Sequence, residues 1–250
     1  MRVERIGTAT LYQADCLEVL PTLAPVDAVV TDPPYNVGKK YGTHDDDMTA
    51  DEYVAWLTER WCALPTQTLV YTPGDRHFWD SRRICEAAGF TLGRMLAWHK
   101  KEFAGDKFTA GPAMCWEPVI WAYRGERAWN KLFGHDGRDH LTVPSTHGND
   151  YAALHPCPKP IEVPRWLVRL FSKTSVADPF MGTGTTGEAA VKLGREFYGM
   201  EIDPEHFETA CRRIEAAVRG VGHHRGAKPE SGGLFECEGS NVCYTTPRVA

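Results

Sequence analysis

Apolar positions along this chain follow two rhythms, and the switching between them predicts alternating strands and helices. Short runs that are continuously apolar or that alternate predict strands over residues 9–13, 27–31, 68–72, 92–99, 118–123, 175–177 and 196–200. Residues 50–64 instead carry Tyr53, Trp56, Leu57 and Trp61 at helical spacing, so one face of that helix is apolar. Thr49 and Glu52 stand three positions apart at its start, the pattern of a capping box. Further helices are predicted over 78–88, ended by Gly89, and over 163–171, 186–193 and 204–218. Strands that alternate with helices in this way make an α/β fold. Its sheet is mainly parallel, doubly wound and covered on both faces.

The rhythm fades between His99 and Leu154. Glycines, prolines, basic residues and the aromatics Trp116, Trp129 and Phe133 mix there without periodicity. Such a stretch predicts substrate-reading loops, about residues 99–154, embedded in a catalytic domain spanning 1–220. Residues 221–250 are rich in Gly, His, Ser, Thr and Pro, with little to bury, and predict a flexible tail.

Composition narrows the class. At 250 residues, 42% hydrophobic and 24% charged, the chain suits one well-buried domain and not two large ones. No run is long and apolar enough to suggest a membrane span, and no signal peptide is visible, so a cytoplasmic location is expected. The 8 cysteines form no CxxC pair and no metal-type spacing, so a reduced protein without a structural metal is expected. A net charge of −5 argues against a dominating attraction to nucleic acid. A nucleic-acid partner would have to be held by a local cationic rim. Its candidates are Lys39, Lys40, Arg76, Lys100, Lys101, Lys107, Arg124, Arg127, Lys131 and Arg138.

Two motifs carry the chemistry. Asp32-Pro33-Pro34-Tyr35 directly follows the apolar run 26–31. The prolines lack N–H groups and fix φ, so they hold a rigid turn whose carbonyls remain free to accept hydrogen bonds. Asp32 accepts from an amine, and Tyr35 offers a face on which a flat ring can stack. The second motif is Asp178-Pro179-Phe180-Met181-Gly182-Thr183-Gly184-Thr185-Thr186-Gly187, between a short strand and a helix. Glycines in such a turn let backbone approach a nucleotide-like ligand, and Glu201 at the end of the next strand suits ribose hydroxyls.

Gly182 to Gly187 also matches a dinucleotide fingerprint. Its position argues against that reading. Only one further strand–helix unit follows it, whereas a dinucleotide fold needs two halves. The missing strands must come from the N-terminal part, where Asp32 lies. Both motifs should therefore end neighbouring strands at one edge of the sheet, with a nucleoside cofactor beside an amine-gripping turn. That is a methyl-transfer arrangement.

With these residues the chain resembles the amino-group DNA methyltransferases of the β arrangement, in which the catalytic tetrapeptide precedes the cofactor motif. The resemblance spans roughly residues 11–214. It includes the stretch 12–20, similar to the family's GDCLEVL opening with Ala14 in place of the usual glycine. His155-Pro156-Cys157-Pro158-Lys159-Pro160 matches the HPxxKP element. The segments around Trp98–Lys100 and Trp116–Ile120 are similar to those that bracket the family's base pocket.

The resemblance implies a Rossmann-like fold with S-adenosyl-L-methionine as cofactor and DNA as partner, the target base flipped out of the duplex. It implies that Asp15 meets the cofactor's adenine, Asp178 its ammonium, Lys159 its carboxylate and Glu201 its ribose. Phe180, Gly182, Gly184 and Thr185 would line the rest of that pocket. Asp32, Pro33, Pro34 and Tyr35 would be catalytic, and Lys39, Lys40, Trp98, Lys100, Lys101 and Trp116 would face the substrate. Restriction–modification and a homodimer are further expectations from the family. An aspartate in the tetrapeptide favours adenine N6 over cytosine N4, and a planar amine of RNA or protein is the other alternative. Carbon-5 cytosine chemistry is disfavoured, since Pro156-Cys157 lacks the partner motifs that such a nucleophile needs.

Overall fold

Ala28, Val29, Val30 and Thr31 are all buried, and as β3 (Ala28–Thr31) they run through the middle of the molecule. Successive side chains point to opposite faces. Ala28 and Val30 join one apolar cluster, while Val29 joins a second on the other side. The neighbouring strands β4 (Thr68–Tyr71) and β8 (Ser175–Asp178) divide in the same way, with Val70 and Val176 on one face and Leu69, Tyr71 and Ala177 on the other. A sheet buried on both faces follows directly from these continuously apolar strands.

The structure, a computed structural model, describes residues 1–38, 47–100, 115–132, 137–144 and 159–220. Lys39, Lys40, Lys101, Lys107, Cys157 and the tail from 221 onward lie outside the described residues. The remaining strands are β1 (Arg2–Ile6), β2 (Ala9–Gln13), β5 (Thr91–Lys100), β6 (Trp116–Tyr123), β7 (His140–Val143) and β9 (Glu196–Glu201). Among the described residues they form a nine-stranded sheet in the order β1-β2-β9-β8-β3-β4-β6-β5-β7. The strands from β2 to β4 in that order are parallel, while β1, β6 and β5 run antiparallel to the neighbour on their inner side.

Helices α4 (Glu162–Phe171), α5 (Thr185–Lys192) and α6 (Pro204–Val218) cover one face. The other is covered by α1 (Cys16–Val19), α2 (Ala50–Cys62) and α3 (Ser81–Ala87). The capping box at Thr49 and Glu52 is present, the Glu52 carboxylate accepting from the Thr49 N–H at 2.8 Å. Two glycines of the second motif serve packing. A Cβ on Gly184, which has φ of 81°, would lie 2.9 Å from the Ala210 Cβ on α6, and one on Gly187 would lie 2.5 Å from Ile214.

Three expectations shift. The helix over 78–88 starts only at Ser81, because residues 74–80 form a run of turns after β4. The region read as loops supplies β7 and lengthens β5 and β6 into a paired ribbon. Arg124, a candidate for the cationic rim, is structural. Its guanidinium donates to the carbonyls of Trp61, Leu64 and Ala88 and lies over the Phe90 ring at 3.9 Å. It thus closes the C-terminal ends of α2 and α3, where unpaired carbonyls carry partial negative charge. Arg124→Ala should lower unfolding free energy by about 2 kcal/mol, read as an earlier urea midpoint at unchanged slope.

Candidate active site

β3 and β8 lie side by side in parallel, Ala28 opposite Val176 and Val29 opposite Ala177. Their C-terminal ends therefore emerge together, where open α/β sheets bind ligands. The Thr31 hydroxyl donates to Asp178 Oδ1 at 2.6 Å, so the residue just before the first motif is joined directly to the first residue of the second, 147 positions on.

Asp32 follows β3 at this edge. Its Oδ1 accepts from the hydroxyls of Tyr35 and Thr72, and its Oδ2 from the Lys159 ammonium. Lys159 also donates to the Tyr35 oxygen at 2.6 Å and stands 3.6 Å from Glu117 Oε2. Burial opposes a charged lysine, but the carboxylates of Asp32 and Glu117 prevail and hold the Lys159 ammonium well above its ordinary range. Burial, and then the charge of Asp32, push the Tyr35 phenol well above its own. Tyr35 is thus a neutral donor at any physiological pH.

The turn itself is braced on several sides. The Tyr53 hydroxyl donates to the Pro34 carbonyl at 2.8 Å, and Arg76 donates to the Asn36 carbonyl at 2.8 Å. Asn36 has φ of 54°, a left-handed conformation that asparagine tolerates better than most residues. Its side chain exchanges two hydrogen bonds of 2.7 Å with the Met48 backbone. His77 stacks on Tyr53 with ring centroids 4.0 Å apart. Gly74 lies under the Tyr35 ring, where a Cβ would come within 2.8 Å of Cγ. A cleft of ≈ 200 Å³ opens beside Tyr35, lined by Thr72, Gly74, Asp75, Arg76, Glu117 and Pro118 among others.

On the β8 side, Glu201 Oε2 accepts from the Gly182 N–H and Oε1 from the Asp203 N–H, each at 2.8 Å. Each oxygen keeps a second lone pair, so the carboxylate still suits a ribose diol. Phe180 packs against Trp56 at 5.5 Å between ring centroids, giving the site an aromatic wall. Asp15 caps α1 by accepting from Leu17 N–H at 2.9 Å, and Arg60 approaches its other oxygen at 3.5 Å. A carboxylate at the end of β9, a glycine turn at φ of 52° and an aromatic wall fit a nucleoside cofactor.

Other expected residues stand elsewhere. Trp98 is 4% exposed, with its indole N–H on the Val143 carbonyl, so it packs inside the sheet and offers no substrate face. Thr185 turns its hydroxyl to Arg213 at 2.8 Å, within the contact between α5 and α6. Lys100 pairs with Glu117 at 2.7 Å and is not a freely solvated rim cation. Trp116 is 40% exposed at the start of β6. Sequence reasoning passed over Thr72, Tyr53, Gly74 and Asn36. The Thr72-Pro73-Gly74-Asp75 turn was the available signal, since it ends the strand parallel to β3 on the other side from β8.

Comparison with known proteins agrees with this geometry. The chain is 25% identical over 239 residues to the Type II methyltransferase M2.LlaDCHI of Lactococcus lactis subsp. cremoris, covering 82% of this chain and 89% of that one. The crystal structure of an M1.HpyAVI–SAM complex superposes with a TM-score of 0.64 at 25% identity, covering 82% of this chain and 98% of the other. For the fold alone, the cytosine-N4-specific PvuII DNA methyltransferase gives a TM-score of 0.67 at 19% identity, covering 86% and 92%. The N6/N4 methyltransferase family model, described as DNA methylase, matches residues 26–212. A match over that much of the chain, with both motifs on one sheet edge, places this protein in the N6/N4 DNA methylase family.

Proposed function

We propose that this protein transfers a methyl group from S-adenosylmethionine to the exocyclic amine of a DNA base, with adenine N6 as the preferred target. The observation that carries this reading is the carboxylate of Asp32 at the end of β3, hydrogen-bonded to the cleft-lining Tyr35 and Thr72, one strand from the glycine turn after β8 and two from Glu201 on β9. M1.HpyAVI, which shares the fold, is known in complex with SAM. When bound, that cofactor supplies an electrophilic sulfonium methyl.

The residues of the chain do the rest. Glu201 takes the ribose hydroxyls, Phe180 and Gly182 line the neighbouring wall, and Asp15 meets the adenine edge. A base amine is a poor nucleophile because its lone pair is delocalised into the ring. Asp32 and the Pro33 carbonyl would accept its N–H bonds and draw the nitrogen toward a tetrahedral shape, so that its lone pair could take the methyl as the carbon–sulfur bond breaks to leave a neutral thioether, the surplus amine proton passing to water. These acceptors bind more strongly as positive charge grows on nitrogen, which is transition-state stabilisation by fixed groups. Reaching the base within a duplex requires flipping it out, at a cost of roughly a few kcal/mol. Stacking on the Tyr35 face offsets about 1–3 kcal/mol of that.

Duplex contact then rests on a local cationic rim, from which Lys100 and Arg124 are withdrawn by their partners within the fold while Arg76, Arg127, Lys131 and Arg138 stay exposed. Incubation with methyl-labelled S-adenosylmethionine and several DNAs, followed by nucleoside analysis, tests the reading. Label in N6-methyl-2′-deoxyadenosine is expected. Label only in N4-methylcytosine replaces adenine by the alternative base, and label only in RNA or protein overturns the DNA assignment.

A further inference from the structure

Asp32 has little acceptor capacity to spare. Two hydroxyls, from Tyr35 and Thr72, already occupy Oδ1, and the Lys159 ammonium occupies Oδ2. An ionised carboxylate offers about four lone-pair positions, so one remains, on the oxygen that the lysine holds. An incoming amine must bind there, within contact distance of a full positive charge. Its own nitrogen becomes positive during methyl transfer, so Lys159 on Asp32 opposes the reaction it stands beside.

The structure provides a second place for that cation. Glu117, on β6, points Oε2 at Lys159 from 3.6 Å, while its Oε1 is anchored by Lys100 at 2.7 Å. Asp32, Lys159, Glu117 and Lys100 thus form a row of alternating charge. Glu117 is also in the wall of the cleft beside Tyr35, so it meets the space the base would enter. We propose that Glu117 is a positioning residue that draws the Lys159 ammonium off Asp32 when the target amine enters, freeing Oδ2 to accept. The proposal rests on the amine-methylation reading and assigns the residue that prepares its acceptor. Lys159 stays protonated throughout and only exchanges one carboxylate for another. Lys100 holds Glu117 in place so that the pull is directed.

A double-mutant cycle with Glu117→Gln and Lys159→Met decides it, read as kcat and KM for methyl transfer to DNA with the cofactor concentration varied. Glu117→Gln should lower kcat by roughly 10- to 100-fold while leaving the KM for cofactor little changed. In the Lys159→Met background the same change should cost less than about 3-fold, because no cation remains to be moved. A merely structural role would cost the same in both backgrounds, and that result overturns the proposal. So does a Glu117→Gln effect confined to KM. If Glu117→Gln does not fold, Glu117→Asp keeps the charge one methylene shorter, and its loss too must vanish in the Lys159→Met background. Active wild-type protein with additive variants defeats this assignment alone. Wild-type protein that transfers to no base amine defeats the functional reading along with it.

Discussion

Asp32→Ala will lose methyl transfer by about a thousandfold or more while keeping cofactor affinity within about 3-fold. The two halves of that expectation have separate structural causes. Transfer needs an acceptor at the end of β3, and alanine offers none. The proposed cofactor wall is Glu201, Gly182 and Phe180, and none of these hydrogen-bonds or stacks with the Asp32 side chain. Some stability will be lost as well, because the substitution leaves the Lys159 ammonium with Glu117 at 3.6 Å as its remaining carboxylate and removes an acceptor from Tyr35 and Thr72. Asp32 is partly exposed, so water can solvate what is left and the loss will be modest. Equilibrium binding of cofactor and a thermal melt separate the two effects from the rate. Transfer at the wild-type rate would remove Asp32 from the mechanism.

What the sequence made legible was whatever is written locally. The helix over 204–218 has the bounds of α6, because Asp203 caps it and Pro204 suits its first turn. The placement of both motifs on neighbouring strands was also legible, since a short chain after the glycine turn leaves few ways to complete the sheet. Long-range choices between side chains were not. Lys159 pairs with Asp32 across 127 positions, and nothing in the HPxxKP pattern says which carboxylate the lysine meets. Arg124 and Lys100 looked like free cations because a sequence shows charge without showing partners. Thr185 sits in a motif associated with ligands but faces a helix that is distant in sequence. Edge strands were missed for a related reason. β1 alternates Arg2, Val3, Glu4 and Arg5 and is mostly exposed, so it lacks the apolar signature of a buried strand. Its formation is decided by pairing with β2.

Asp178 sets stability against function most directly. Its carboxyl is 2% exposed, and burial pushes its pKa up to about 6 from 3.8, although bonds from Thr31 and the Phe180 N–H pull the other way. A carboxyl whose folded pKa is raised favours the fold fully below its unfolded value near 4. That contribution is lost as pH rises through the folded value near 6. At neutral pH the folded protein therefore carries an ionised group that would be better solvated in the unfolded chain, a cost of about 3 kcal/mol for a shift of this size. Asp178→Asn removes the charge and keeps an oxygen to accept from Thr31 and Phe180. Urea titrations should therefore show the variant to be more stable than wild type at pH 8 by about 2 kcal/mol, with the difference shrinking toward pH 4. A buried charge at the cofactor edge makes sense if it meets the cofactor's ammonium, and then the same variant should bind S-adenosylmethionine roughly 10- to 100-fold more weakly. A more stable protein with unchanged affinity would leave the charge of Asp178 without a ligand. A variant with no stability gain at pH 8 would mean that the buried carboxylate costs the fold nothing.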